Sequence, residues 1–341
     1  MNSRTGKTRV TIFGGSGFVG RHIVRRLAAE GAEIRVAVRD IEKAMYLKPC
    51  GDVGQIAPWQ VNIADPAQVA TAIADADVVI NLVGILYESG ARTFQAMHVD
   101  GAANIARAAA AAGVKRLIHM SALGADQYAP ADYARTKWAG EAAVLEAFPD
   151  ATIFRPSVIF GPEDNFFNMF AGMMRFLPVM PVIGAPFIPK ISLGGEDGFG
   201  IDFFGDGGCK FQPVFVGDVA DAMTKAIGMD ETKGQTYELG GPKVYSFKEL
   251  MELLLAVTDR RKMLVPLPLG IAAMEAAFLQ LLPKPLLTTD QVKLMERDNV
   301  TSDGAPGFGA LGLEPTAAEA ILPTYLHRFR TPRQQGAEAA H

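Results

Sequence analysis

At 341 residues, 49% hydrophobic and 21% charged, the chain is long and apolar enough for a full α/β domain and a smaller second lobe. A formal net charge of −4, with Lys and Arg scattered along the chain, excludes the basic field that a nucleic-acid partner requires. Two cysteines, Cys50 and Cys209, cannot frame a disulfide scaffold, and neither they nor the five histidines show metal-ligand spacing; a reducing compartment and no metal are expected.

The first strand pattern, Arg9–Phe13, begins so early that no signal or transit peptide is expected ahead of it. Gly14-Gly15-Ser16-Gly17-Phe18-Val19-Gly20 follows at once and opens a helical pattern over Val19–Ala29. In this context glycines let the chain turn sharply and let a pyrophosphate approach the backbone, while the helix N-terminus offers unpaired N–H groups. The turn therefore predicts a dinucleotide. Ile34–Val38 reads as the second strand, closed by Arg39. An acidic residue there would accept the ribose 2′-hydroxyl of NAD, whereas a guanidinium suits the 2′-phosphate of NADP, so NADPH is expected. The alternative for Arg39 is a solvated side chain next to Asp40.

Further strand patterns lie at Ile56–Val61, Val78–Leu82, Leu117–Met120 and Thr152–Phe154. Helical patterns at Pro66–Ala74, Phe94–Ala112 and Asp132–Ala147 separate them. Strands alternating with crossover helices predict a Rossmann-type, doubly wound parallel sheet of the α/β class with helices on both faces. Beyond Arg155 the rhythm breaks, and a smaller, mostly helical C-terminal lobe is expected. Phe166–Phe176 reads as an apolar helix, and 183–208 as an irregular insertion whose Phe187, Ile188, Phe199, Ile201, Phe203 and Phe204 suit partner anchors. Pro213–Val216 reads as a strand, Asp218–Gly228 as a helix capped by Asp218, and Tyr237–Leu239 as a last strand. Helical patterns follow at Phe247–Val257, Leu269–Leu282 and Thr289–Arg297. Leu267–Leu282 is too short and too interrupted to span a bilayer, so no transmembrane segment is expected. The expected organisation is a nucleotide domain over 1–160, with contributions from about 211–240, a lobe over 161–330, and a frayed tail over 331–341.

The spacing Gly14-x-x-Gly17-x-x-Gly20, together with Tyr133-x-x-x-Lys137, resembles the short-chain dehydrogenase/reductase superfamily in its extended or atypical branch. The phenol and ammonium at positions i and i+4 share a helix face. The resemblance implies that Gly14, Ser16, Gly17, Phe18, Val19 and Gly20 line the pyrophosphate, and that Asn62 and Ile63 meet the adenine. It also implies that Leu82, Val83 and Gly84 lie beneath the nicotinamide ribose, that Pro156 lines the nicotinamide end, and that Lys137 holds the ribose. Tyr133 would be the general acid/base, and Ser121 would polarise a substrate carbonyl. A plain buried strand end at 81–84 and an ordinary helix at 133–137 are the structural alternatives. Only eleven residues separate Ser121 from Tyr133, fewer than extended epimerases place there, which favours Tyr133 and Lys137 as cofactor contacts first and catalysts second.

Tyr133 to Lys137, Arg155-Pro156-Ser157, Leu287-Thr288-Thr289-Asp290-Gln291-Val292-Lys293 and Asp298-Asn299-Val300 together are similar to one branch, the dehydrogenase-like accessory subunits of respiratory complex I. That similarity implies NADPH held as a structural ligand and no established turnover. It also implies other complex I subunits as partners, near the junction of hydrophilic and membrane arms. For a bacterial member the location is peripheral, on the cytoplasmic face of the inner membrane. The apolar helical faces after Leu269 and the 183–208 stretch suit such partners. The alternatives are a free NADPH-dependent reductase or epimerase acting on a nucleotide-sugar or similar small molecule, and an NADPH-sensing regulator.

Overall fold

In the computed structural model, which describes residues 7–186, 190–192, 200–283 and 285–330, the N-terminal alternation becomes one seven-stranded sheet. The chain runs β1 (Arg9–Phe13), α1 (Phe18–Ala29), β2 (Glu33–Val38), β3 (Ile56–Gln60), α2 (Pro66–Ile73), β4 (Val78–Asn81), α3 (Gly101–Ala111), β5 (Arg116–Met120), α4 (Asp132–Ala147) and β6 (Thr152–Pro156). Their interior residues, Ile12, Phe13, Val36, Ile80, Ile118 and Phe154 among them, are buried almost completely, as strands covered on both faces must be. Helix α2 starts where the sequence supplies an acceptor. Asp65 caps α2 by accepting from Ala67 N and Gln68 N, and Pro66 takes the first turn, where no N–H is needed. A π-helical turn, Gln95–Asp100, precedes α3.

The next segment folds apart: β7 (Ile159–Phe160), α5 (Phe166–Met173), β8 (Val179–Ile183), β9 (Lys190–Ser192), β10 (Gly200–Asp202), β11 (Lys210–Phe211) and β12 (Val214–Phe215). The chain then re-enters the first unit as α6 (Val216–Ile227) and β13 (Thr236–Leu239) before completing the second with β14 (Tyr245–Ser246), α7 (Phe247–Val257), β15 (Met263–Leu267), α8 (Leu269–Leu279), α9 (Thr289–Leu294) and α10 (Ala318–Leu326). The first unit comprises 1–156, 216–239 and 302–314; the second comprises 157–215, 240–301 and 315–341.

In the first unit the strand order is β13-β6-β5-β4-β1-β2-β3, every pairing parallel. The order reverses between β1 and β4, so the glycine turn after β1 lies at the topological switch point, where open α/β sheets take their ligands. On one face α1 packs on α6, tied by Arg26, whose Nε and Nη2 donate to Asp221 at 2.6 and 3.0 Å. The other face carries α2, α3 and α4 over a core that includes Phe13, Val79, Ile105, Leu117 and Ile153. Helix α6 starts two residues before Asp218, which therefore lies inside the first turn rather than at the cap. An acidic residue there still favours the helix dipole.

The second unit has its own core, in which Phe160, Phe167, Phe170, Phe211 and Phe247 interlock. Beside its helices it holds, among the described residues, four two-stranded pairs. One of them, β8 with β15, joins parallel segments far apart in sequence. Capping boxes start α7 (Ser246 with Glu249) and α9 (Thr288 with Gln291). Helix α5 ends at Met173, earlier than its apolar run suggests. Of the proposed anchors, Phe187, Ile188 and Phe199 lie outside the described residues, as does the Ile201 side chain; Phe203 is exposed and Phe204 packs on the core. Helix α8 is apolar almost all round, yet only Ala272 and Ala276 are buried; Met274 is 62% exposed and Phe278 76%. No helix of the described residues is long and apolar enough to cross a membrane.

Candidate functional site

The glycine turn is built for close approach. Gly14 adopts φ +78°, a left-handed conformation, and packs on the Leu82–Val83 backbone, where an added Cβ would lie 3.3 Å from Leu82 C. A Cβ on Gly20 would sit 2.6 Å from the Gly15 backbone, so helix and turn touch only because residue 20 is glycine. Gly17 is the N-cap of α1 and supplies no side-chain cap, leaving the first-turn N–H groups for a ligand. Tyr46, which sequence reasoning missed, comes from the 3-10 turn Glu42–Cys50; its hydroxyl donates to Ser16 O at 2.9 Å. Arg39 follows β2 and is exposed, while its neighbour Asp40 pairs with Lys43 at 3.1 Å instead.

On the other side of β1, the ends of β4 and β5 bring a polar cluster beneath α4. Asn81 Oδ1 accepts from Val83 N (3.0 Å), so its amide nitrogen faces His119 Nδ1 (3.0 Å) and the His119 proton lies on Nε2. The Ile85 N–H donates to His98 Nε2 (3.1 Å), which leaves His98 Nδ1 to donate to Thr136 Oγ1 (3.0 Å). Burial, reinforced by the Lys137 charge, pushes both imidazoles down to about 3, so both are neutral at physiological pH.

Lys137 is 3% exposed, and its ammonium donates to Met120 O at 3.3 Å. Desolvation pushes it down to about 8, with Glu141 acting weakly the other way. Glu141 is committed to Arg155, whose Nε and Nη2 donate to it at 2.9 and 2.6 Å. A Cβ on Gly84 would lie 3.1 Å from Lys137 Nζ, so the absent side chain keeps the ammonium open toward the glycine turn's side of the sheet. Tyr133 packs edge-on against Phe94 and His98, and burial lifts its phenol to about 12. Lys137 Nζ stands 6.0 Å from the Tyr133 ring centroid. Ser121 Oγ and His119 Nε2 are both buried without a hydrogen-bond partner among the described residues. Bare helix N–H groups, a backbone cradle a Cβ would fill, and a buried ammonium with orphaned donors beside it fit a dinucleotide with its ribose near Lys137.

Asn62 is exposed and uses Oδ1 to accept from Ala64 N at 3.1 Å, while Ile63 is buried against Gly101 in the core. Pro156 ends β6 beside Leu239, and its carbonyl accepts from Leu123 N at 3.0 Å, next to Ser121. The late motif is structural within the second unit. Asn299 Oδ1 accepts from Ser157 Oγ (2.7 Å) and Val158 N (3.2 Å), and Asp298 accepts from Lys210 N (2.8 Å). Among the described residues no group of acidic, His or Cys side chains could hold a metal ion.

Residues 10–240 match the NAD dependent epimerase/dehydratase family. The chain belongs to that family. It is 34% identical over 332 residues to the mitochondrial NADH dehydrogenase (ubiquinone) 1 alpha subcomplex subunit 9 of Arabidopsis thaliana, covering 94% of this chain and 77% of that one. To the mitochondrial NADH-ubiquinone oxidoreductase 40 kDa subunit of Neurospora crassa it is 30% identical over 330 residues, covering 96% and 81%. Among solved structures, an NADPH-dependent quinone oxidoreductase of Escherichia coli complexed with NADPH superposes with TM-score 0.66 at 19% identity, over 94% of this chain and 99% of that one; this likeness shows the fold.

Proposed function

We propose that this protein is an accessory subunit of respiratory complex I, the NADH:ubiquinone oxidoreductase, and that it holds NADPH as a structural ligand. The observation that carries the reading is similarity to subunits of that enzyme running over nearly the whole chain, second unit included. A shared fold reaches as far, but at 19% identity; identity of 30% or more over that length goes with the complex I subunits. The subunit is peripheral, positioned near the junction of hydrophilic and membrane arms, and in a bacterium it faces the cytoplasm. The exposed apolar side chains of α8 supply contact area for partner subunits.

In this reading Gly14, Gly17 and Gly20 shape the backbone against the pyrophosphate, the first turn of α1 donates to it, and Arg39 meets the 2′-phosphate. Lys137 donates to the ribose hydroxyls, and Asn81 with His119 fixes the floor beneath them. A bound nicotinamide supplies hydride chemistry in principle. With its phenol lifted to about 12, Tyr133 stays protonated at neutral pH and serves as a hydrogen-bond donor. The presence of Ser121, Tyr133 and Lys137 around one strand end supports the second reading, a free reductase or epimerase.

Comparing two variants separates these readings. Gly17→Val puts a branched side chain into the phosphate cradle and should lower the amount of intact complex seen by blue-native electrophoresis. Tyr133→Phe should leave both assembly and electron transfer per assembled complex near normal. A severe loss of respiratory activity in the Tyr133→Phe strain, with assembly unchanged, would overturn the structural-ligand reading.

A further inference from the structure

Tyr46 stands in the 3-10 turn Glu42–Cys50 between Ala44 and Leu47, both fully buried, which anchor that turn on the first unit. The start of the turn is fixed as well, since Asp40 Oδ1 accepts from Glu42 N at 3.1 Å. From this base the Tyr46 phenol donates to Ser16 O at 2.9 Å. The Arg21 guanidinium lies over the phenol ring, 5.0 Å from its centroid, and Arg21 Nε approaches Gly17 O at 3.5 Å. Ser16 sits in the stretch of backbone with the least intrinsic restraint, because four of the seven residues 14–20 are glycine. Two backbone bonds also hold that stretch: Gly14 N donates to Ala37 O at 3.1 Å, and Gly17 N donates to Gly14 O at 2.9 Å. The Ser16–Gly17 peptide is therefore bonded at both ends, its N–H to Gly14 and its C=O to Tyr46. It leads directly into the first turn of α1, whose N–H groups serve the pyrophosphate.

We propose that Tyr46 is a positioning residue for the dinucleotide, which holds the glycine turn, through the Ser16 carbonyl, in the shape that receives the pyrophosphate. The inference rests on the nucleotide reading above and adds a residue that acts on the turn rather than on the ligand. A glycine-rich turn that is loose must be ordered as the nucleotide binds, and the backbone freedom lost at that moment lowers affinity. A bond from the protein's own phenol supplies that order beforehand. The pyrophosphate is common to NADPH and NADH, so the effect falls on both alike and is independent of the 2′-phosphate assigned to Arg39.

The test compares the wild type with Tyr46→Phe, which keeps the ring beneath Arg21 and removes only the donor. Calorimetry on the nucleotide-stripped full chain gives the Kd of NADPH and of NADH, and thermal melting of the same stripped protein is followed in parallel. Tyr46→Phe should weaken both nucleotides by the same factor, about three- to tenfold, the range of one hydrogen bond. The stripped variant should melt within about 2 °C of the wild type, because Tyr46 is 40% exposed and water replaces the lost partner. A loss confined to NADPH, or no loss for either nucleotide, would overturn the proposal. So would a loss that comes with a clearly lower melting temperature, the mark of a bond that merely supports the fold. A wild type that takes up neither nucleotide would overturn the dinucleotide reading and this inference together. One that binds both equally would remove the NADPH preference alone and leave the Tyr46 comparison decisive.

Discussion

Replacing Lys137 with Met should make the ligand-free protein more stable, an unusual outcome for a ligand-holding residue. The ammonium is desolvated, and its fall from 10.5 to about 8 corresponds to about 3 kcal/mol that the folded chain loses at neutral pH. At 3% exposure, solvent does little to screen that cost. Removing the 3.3 Å bond to Met120 O gives back about 1 kcal/mol, so the net gain is about 2 kcal/mol, a few degrees in melting temperature. The pH dependence identifies the cause. Between pH 8 and 10.5 the unfolded chain binds more protons at this residue than the folded chain, so Lys137 makes wild-type stability rise across that window. The Met variant lacks this contribution, and the two curves should converge toward pH 10.5. Chemical denaturation of both proteins at a series of pH values, without nucleotide, measures the difference. A variant less stable than wild type at pH 7, with a difference flat in pH, would refute the claim that folding strips water from this ammonium.

The same electrostatics act at the acid end and in the second unit. His98 and His119 are held at about 3 against an ordinary 6.5, so their contribution to stability is lost as pH falls from 6.5 toward 3; His119→Phe should move acid unfolding, followed by circular dichroism, to lower pH, and an unmoved midpoint would count against the buried neutral imidazole. Asn299→Ala removes the acceptor of Ser157 Oγ and Val158 N and should cost about 2–4 kcal/mol in urea while leaving NADPH affinity unchanged; a loss of affinity at normal stability would place the late motif at the ligand.

What the sequence made legible were features that physics confines to short stretches. The glycine turn needs strand, turn and helix in immediate succession, and Tyr133 and Lys137 meet through helix periodicity alone. Other features depend on partners brought from a distance. Tyr46 comes from a 3-10 turn without apolar periodicity, and only the folded chain shows its hydroxyl on Ser16 O. His119 reads as a strand residue until Asn81, on the neighbouring strand, fixes its tautomer. Pairing of β8 with β15 escapes notice because Val179–Ile183 and Met263–Leu267 each look like a short loop rich in proline and apolar residues. Ile63 likewise reads as an apolar residue after a strand, and only the fold shows it packed on Gly101 within the core.

The late motif separates recognition from mechanism. In the sequence, Leu287 to Lys293 and Asp298 to Val300 carry part of the resemblance to complex I subunits, yet their polar side chains cap α9 and pin backbone groups of the second unit. The first unit is arranged the opposite way. Lys137, His119 and Ser121 are buried donors that the protein itself leaves short of acceptors, a cost to the chain that a bound nucleotide offsets. An enzyme of this family could carry the same cost in order to turn over substrate. Under the proposed reading the cost is carried for retention, and a nucleotide that binds only the folded chain couples occupancy of the site to the folding of the whole first unit.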